Sequence, residues 1–211
     1  MKDDRSEFAR MKSQMCKQMG KDEVVFKKNL EFLLELEKYK YSYLWNWLGV
    51  PIIQMPADIM ATQEVIFETK PDIIIETGVA RGGSVIFMAA MQKLLGDGIV
   101  IGVDIDIRQH NRDSIENSLF SDRIKLIEGP STDPNILKKI STYIKKDSKV
   151  MVVLDSDHSR KHGLNECLSY SKFVTKGNYL IVADPLMAFY DEDNAPKERS
   201  MHWFACHEPL G

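Results

Sequence analysis

The spacing of apolar positions changes character along the chain. Over residues 21–39, Phe26, Leu30, Leu33 and Leu34 recur at i, i+4, i+7 and i+8 among Lys and Glu, which is one stripe of an α-helix. This predicts an amphipathic leading helix that caps the core or meets another subunit. The next stretch, YSYLWNWLGVPIIQMPADIM, breaks that period with Gly49, Pro51 and Pro56 while carrying Tyr41, Tyr43, Trp45 and Trp47. Aromatic side chains in irregular chain pack on a core or wall a ligand pocket. Beyond Pro71, short β-branched runs alternate with helical stretches, the runs covering residues 73–77, 99–104, 124–128, 149–155 and 178–184.

Each run is almost wholly apolar, as a strand covered by helices on both faces must be. The spacers of about 20 residues fit right-handed helical crossovers and are too long for hairpins. The pattern predicts an α/β fold: a doubly wound, mostly parallel, Rossmann-like sheet at residues 61–211, preceded by a helical and aromatic segment at residues 1–60 packed on it. In such sheets ligands bind beyond the carboxyl ends of the strands, where the strand order reverses.

A net charge of −3, with 44% apolar and 28% charged residues, gives no broad electrostatic pull toward nucleic acid or an anionic membrane. The opening MKDDRSEFARMKSQMCKQMGKDE has no unbroken apolar run, and no later stretch approaches a membrane span. The expectation is a cytoplasmic protein. Cys16, Cys167 and Cys206 are odd in number and far apart, so neither a disulfide framework nor a zinc knuckle is expected.

The candidate chemistry lies where the apolar runs end. The first run leads into Glu76-Thr77-Gly78-Val79-Ala80-Arg81-Gly82-Gly83-Ser84 and an apolar helix. Glycines permit a tight turn and a close backbone approach to a ligand, and Ser84 can cap a helix N-terminus that favours negative charge. The spacing E-x-G-x-x-x-G-G differs from the G-x-G-x-x-G of dinucleotide sites, which favours a nucleotide-like ligand without a pyrophosphate. The second run ends at Asp104, placed to accept hydrogen bonds from both ribose hydroxyls, with Asp106 as a less well-placed competitor. The third ends in a turn with Gly129, Ser131 and Asp133, which could border an adenine or cap the next helix.

Asp155 and Asp184 end the fourth and fifth runs, and two converging carboxylates suit Mg²⁺, which could lower the pKa of a bound hydroxyl. His158 stands three residues past Asp155, within reach of a hydroxyl proton. His162 lies four further on, so a histidine pair binding a transition metal is the alternative.

These blocks together resemble the family of cephalosporin hydroxylase-like and rhamnosyl O-methyltransferase proteins, class I S-adenosylmethionine-dependent methyltransferases. The resemblance runs from Tyr41 to Asp184, through WLGVPIIQMPADIMATQEVIFETKPDIIIETGVARGGS, VIGVDIDIRQHNR, VVLDSDHS and TKGNYLIVADP. It implies Glu76, Gly78 and Gly82 in the cofactor turn, Asp104 on the ribose, and Asp155 with Asp184 on a divalent metal. The same strand tips are similar to those of catechol-type O-methyltransferases, which carry a Lys where His158 stands.

Two departures qualify it. Relatives carry a Glu before or an amide after the second metal Asp, where this chain has Ala183 and Pro185. Only 27 residues follow Asp184, few for the helix and strand pair that usually complete such a sheet, so an edge that is incomplete, covered by another subunit or lost by truncation is expected. The expectation is an Mg²⁺-assisted O-methyltransferase acting on a hydroxyl of a sugar or secondary metabolite. The alternative is a non-catalytic methyltransferase-like subunit that holds the cofactor or a partner. A homo-oligomer through the leading helix or the sheet edge is a further expectation.

Overall fold

The computed structural model describes residues 3–190; Cys206, His202, His207 and most of the tail discussed above lie outside them. Two helices lead, α1 (Arg5–Met19) and α2 (Glu23–Glu37), followed by a small antiparallel hairpin of β1 (Asn46–Trp47) and β2 (Val50–Pro51). Helix α3 (Pro56–Thr69) then feeds alternating strands and helices: β3 (Ile73–Thr77), α4 (Gly83–Leu95), β4 (Ile99–Asp104), α5 (Gln109–Glu116), β5 (Ile124–Glu128), α6 (Pro134–Ser141), β6 (Val150–Leu154), α7 (Arg160–Tyr170) and β7 (Leu180–Val182).

The five long-range strands form one parallel sheet in the order β5-β4-β3-β6-β7. Side chains alternate across it. Ile74, Val100, Met151 and Val153 pack with Ile66 of α3, Ile115 of α5 and the α4 side chains on one face, while Ile73, Ile75, Ile101, Val103, Val150 and Val152 pack with Ile140 of α6 and Tyr170 of α7 on the other. Burial on both faces explains why the strands read as continuous apolar runs. The winding runs from β3 outward to β5 and then returns to β6, so the sheet order reverses between β3 and β6. Their carboxyl ends open there side by side, with Thr77 paired to Leu154.

The hairpin packs over the start of α4. Trp45 and Trp47 join the core on that face, with the Trp47 and Phe87 rings edge-to-face at 5.0 Å. A Cβ on Gly83 would overlap the Pro51 carbonyl, so the absence of a side chain lets the hairpin sit against the helix N-terminus. The leading helices behave differently from a core cap. Helix α1 has no buried residue, and α2 buries only Glu37. Phe26, Leu30 and Leu33 of the apolar stripe line a cavity instead. No helix among the described residues is long and apolar enough to cross a membrane.

Candidate functional site

Strand β3 leaves the sheet at Thr77 and turns through Gly78, whose φ of +88° lies in the left-handed region that glycine enters without steric penalty. Its amide donates to the Val103 carbonyl, and a Cβ there would overlap the Asp155 carbonyl oxygen. The turn therefore lies directly against the tip of β6. Gly82 (φ +92°) opens α4, and a side chain there would meet Ile115. Ala80 also takes a positive φ of 45°, a conformation rare for a residue with a Cβ.

Ser84 departs from the expected cap. It lies inside the first turn of α4, where its hydroxyl donates to Glu76 Oε2 at 2.9 Å, and the helix has no side-chain cap. Glu76 is fully buried and its Oε1 has no hydrogen-bond partner among the described residues. Burial first, and then the charge of Asp155, push its carboxyl well above the usual range.

Asp104 ends β4 as expected, yet its carboxylate serves the chain itself. Oδ2 accepts from Val79 N at 2.8 Å and Ala80 N at 3.0 Å, and Oδ1 from Asp106 N at 3.1 Å. Gly129 N donates to the Asp104 carbonyl, placing the β5 turn beside it. In that turn Asp133 caps α6 by accepting from Asn135 N, while Ser131 is buried and accepts from Tyr170 Oη at its carbonyl.

Asp155, His158 and Asp184 converge. The ligand atoms of the three lie within 4.8 Å of one another, and His158 Nε2 is 3.6 Å from both Asp155 Oδ1 and Asp184 Oδ2. Asp184 sits in the left-handed region at φ +55°, strain of the kind often held at functional sites. Burial, followed by the charge of Asp184, raises Asp155 well above the usual carboxylate range; burial, with Asp58 and Glu37, pushes Asp184 up to about 6. Burial also lowers the His158 imidazole, keeping it neutral near pH 7. Ala183 gives the site only backbone, its amide donating to the Leu154 carbonyl, and Pro185 starts a short helix, Pro185–Phe189.

A cavity of about 200 Å³ draws much of this together, lined by residues 78–84 with Asp155, Ser156, His158 and Asp184. Glu76, Asp104, Gly129 and Ser131 are outside its lining. Tyr43, Ile53 and Gln54, which the sequence did not single out individually as site residues, are in it; Gln54 also hydrogen-bonds Asp155. The only hint was their place in aromatic-rich irregular chain.

The two histidines have different partners among the described residues. His158 precedes α7, whereas His162 Nε2 lies 3.2 Å from Glu166 Oε1, 3.1 Å from Ser156 Oγ and 3.3 Å from Ser131 Oγ. Ser156 Oγ also donates to Glu166 Oε1, a buried carboxylate. This cluster ties the tips of β5 and β6 to α7.

The family model described as rhamnosyl O-methyltransferase/CmcI matches residues 39–208. The chain belongs to this family. Among curated members, a rhamnosyl O-methyltransferase of Mycobacterium leprae (strain TN) is 32% identical over 156 residues, covering 71% of this chain and 66% of that protein. The chain thus spans just under two thirds of that relative's length. In fold it resembles a solved form of CmcI described as Mg-SAM, with 21% identity, a TM-score of 0.51, and coverage of 70% of this chain and 60% of that one. It also resembles an O-methyltransferase from Bacillus cereus in complex with SAH, with 17% identity, a TM-score of 0.52, and coverage of 86% and 77%. Over those stretches the Rossmann-like fold is shared.

Proposed function

We propose that this member of the rhamnosyl O-methyltransferase/CmcI family transfers a methyl group from S-adenosylmethionine to a hydroxyl of a sugar or other small molecule. The observation that carries this reading is the meeting of Asp155, His158 and Asp184 at the edge of the cavity formed by the glycine turn. The residues fit the cofactor: a turn whose backbone closes on the β6 tip, and a buried Glu76 oxygen without a hydrogen-bond partner among the described residues. Gly78, Gly82 and Ser84 would line its pocket, with Asp104 and the 129–131 turn along the nucleoside side. S-adenosylmethionine supplies an electrophilic methyl on a sulfonium, so the protein's part is mostly positioning and electrostatics.

The donor set also fits a divalent cation such as Mg²⁺. Asp155 and Asp184 would hold it, and water would occupy the positions that Ala183 and Pro185 leave without side-chain donors. Such an ion supplies Lewis acidity to a coordinated hydroxyl. His158, neutral through burial, takes the hydroxyl proton at Nε2. The 3.6 Å approach of that nitrogen to both carboxylates favours a second, metal-free reading, in which Asp155 and Asp184 stabilise the imidazolium as it forms.

Calorimetry tests these in order. S-adenosylhomocysteine should bind at micromolar levels; no binding sinks the cofactor reading. Mg²⁺ titrated into the loaded protein should reveal a site that Asp155→Ala abolishes, and its absence leaves the general-base route. Binding without methyl incorporation into any of a panel of rhamnosides and hydroxylated metabolites identifies a non-catalytic subunit.

A further inference from the structure

A second cavity, about 420 Å³, lies between α2 and the Pro185–Phe189 helix, and Tyr43, Ile53 and Asp184 line both it and the glycine-turn cavity. The two therefore meet at the carboxylate that ends β7. We propose that this second cavity takes the apolar body, alkyl or aryl, of an acceptor whose hydroxyl is presented to Asp155, His158 and Asp184. The proposal rests on the methyl-transfer reading and narrows its acceptor class.

Three observations carry it. The wall is largely carbon, with Leu30 and Leu33 of α2 facing Leu186 and Met187 across the space. The deepest polar group is already engaged: Glu37, 3% exposed, accepts from Ser42 N at 2.9 Å, Ser42 Oγ at 3.0 Å and Tyr190 Oη at 3.4 Å. Asn29 and Asp58 also belong to the lining, but a polyhydroxyl ring seated against Leu30, Leu33, Leu186 and Met187 would lose hydrogen bonds to water and meet carbon there, whereas a hydrocarbon loses none. Finally, the Phe26 and Phe189 rings belong to the lining and meet edge-to-face at 6.4 Å across the two elements, yet remain 57% and 47% exposed. An apolar ligand covers them. The volume lies within the range of small-molecule sites, and α2's stripe, which covers no sheet, thereby gains a partner.

The test is a homologous series of 1-alkanols, from butanol to decanol, titrated calorimetrically into the full chain with and without S-adenosylhomocysteine. Affinity should rise about three- to fourfold per added methylene until the cavity is filled, at one site per chain, while methyl glucoside shows no binding. Leu33→Gln should lower 1-octanol affinity at least fivefold with S-adenosylhomocysteine affinity unchanged. Phe26→Ala, at a position 57% exposed, should flatten the series. A series with no dependence on chain length, or a slope unaltered in both variants, overturns the proposal. If the alkanols behave as expected but S-adenosylhomocysteine does not bind, the apolar pocket stands and the methyl-transfer reading falls.

Discussion

Replacing Gly78 by Ala isolates what the glycine turn does, because two other glycines in the same chain separate the contributions. Gly49, at φ +86°, has open space where a Cβ would go, and Gly163 is a helical residue of α7 with open space as well. Gly49→Ala thus incurs only the left-handed backbone penalty, about 1–2 kcal/mol. Gly163→Ala should stabilise by about 0.5–1 kcal/mol through helix propensity. Gly78→Ala carries the same backbone penalty as Gly49, and its Cβ falls on the Asp155 backbone carbonyl, which cannot rotate away as a side chain would. Adding an overpacking term gives a loss of about 2–5 kcal/mol, a large share of the ~5–15 kcal/mol available to a domain. Urea denaturation of the three variants, fitted for midpoint and slope, measures the differences. At a temperature where Gly78→Ala remains folded, S-adenosylhomocysteine affinity should drop at least tenfold, against no change for Gly49→Ala, which lines neither cavity. If Gly78→Ala and Gly49→Ala lost equal stability, or Gly78→Ala bound ligand normally, the close packing of the turn on β6 would not be what fixes the pocket.

Three further outcomes follow from the carboxylate cluster. The folded-state pKa of Asp184 is raised from 3.8 to about 6, chiefly by burial, so the native state binds its proton more tightly than the unfolded chain. The associated stability is fully present below about pH 3.8 and lost as pH rises through about 6; in chelator, the wild-type minus Asp184→Asn difference in urea stability should fall across that window by roughly 1–2 kcal/mol. Saturating Mg²⁺ at pH 7.5 should reverse the loss by binding only the folded state, detected as a raised melting temperature that Asp155→Ala removes. His158→Ala should lower turnover by about 10²–10⁴-fold with unchanged S-adenosylhomocysteine affinity; an unaltered rate removes it from the mechanism.

Much of the fold was legible because a sheet buried on both faces leaves uninterrupted apolar runs. β3, β4 and β5 fall on residues 73–77, 99–104 and 124–128, whereas β6 and β7 are shorter than the runs at 149–155 and 178–184. The excess residues still bond at the ends: Asp155 N to the Thr77 carbonyl, Ala183 N to the Leu154 carbonyl. The meeting of Asp155 and Asp184 was equally legible, since successive strand tips in one sheet are neighbours. What escaped depends on tertiary packing. Ile53 and Gln54, just past the hairpin that docks on α4, line the cavity, and no local periodicity encodes that; Tyr43 is one of the aromatics expected to pack or to wall a pocket. The stripe of α2 reads the same whether it covers a sheet or a cavity. Ser84 looked like a cap because it follows two glycines, but the helix begins at Gly83, which turns its hydroxyl to Glu76.

Asp104 is where the two levels of description must be reconciled. The strand-end position marks it for a ribose, yet three of the roughly four acceptor sites of its carboxylate are occupied by the amides of Val79, Ala80 and Asp106. With the turn in this conformation, about one acceptor site of the carboxylate is left for a ligand hydroxyl. Its side chain ties down the amides of Val79 and Ala80 in the glycine turn, and the exposed Asp106, two residues on, is the candidate acceptor for a second hydroxyl. The variants separate accordingly. Asp104→Ala leaves turn amides without a charged acceptor and should lower both stability, by about 1.5–3 kcal/mol, and S-adenosylhomocysteine affinity. Asp106→Asn should lower affinity alone. If instead Asp104→Ala kept its urea midpoint while losing the ligand, the carboxylate would belong to the ribose and the amide bonds would be incidental to the ligand-free state.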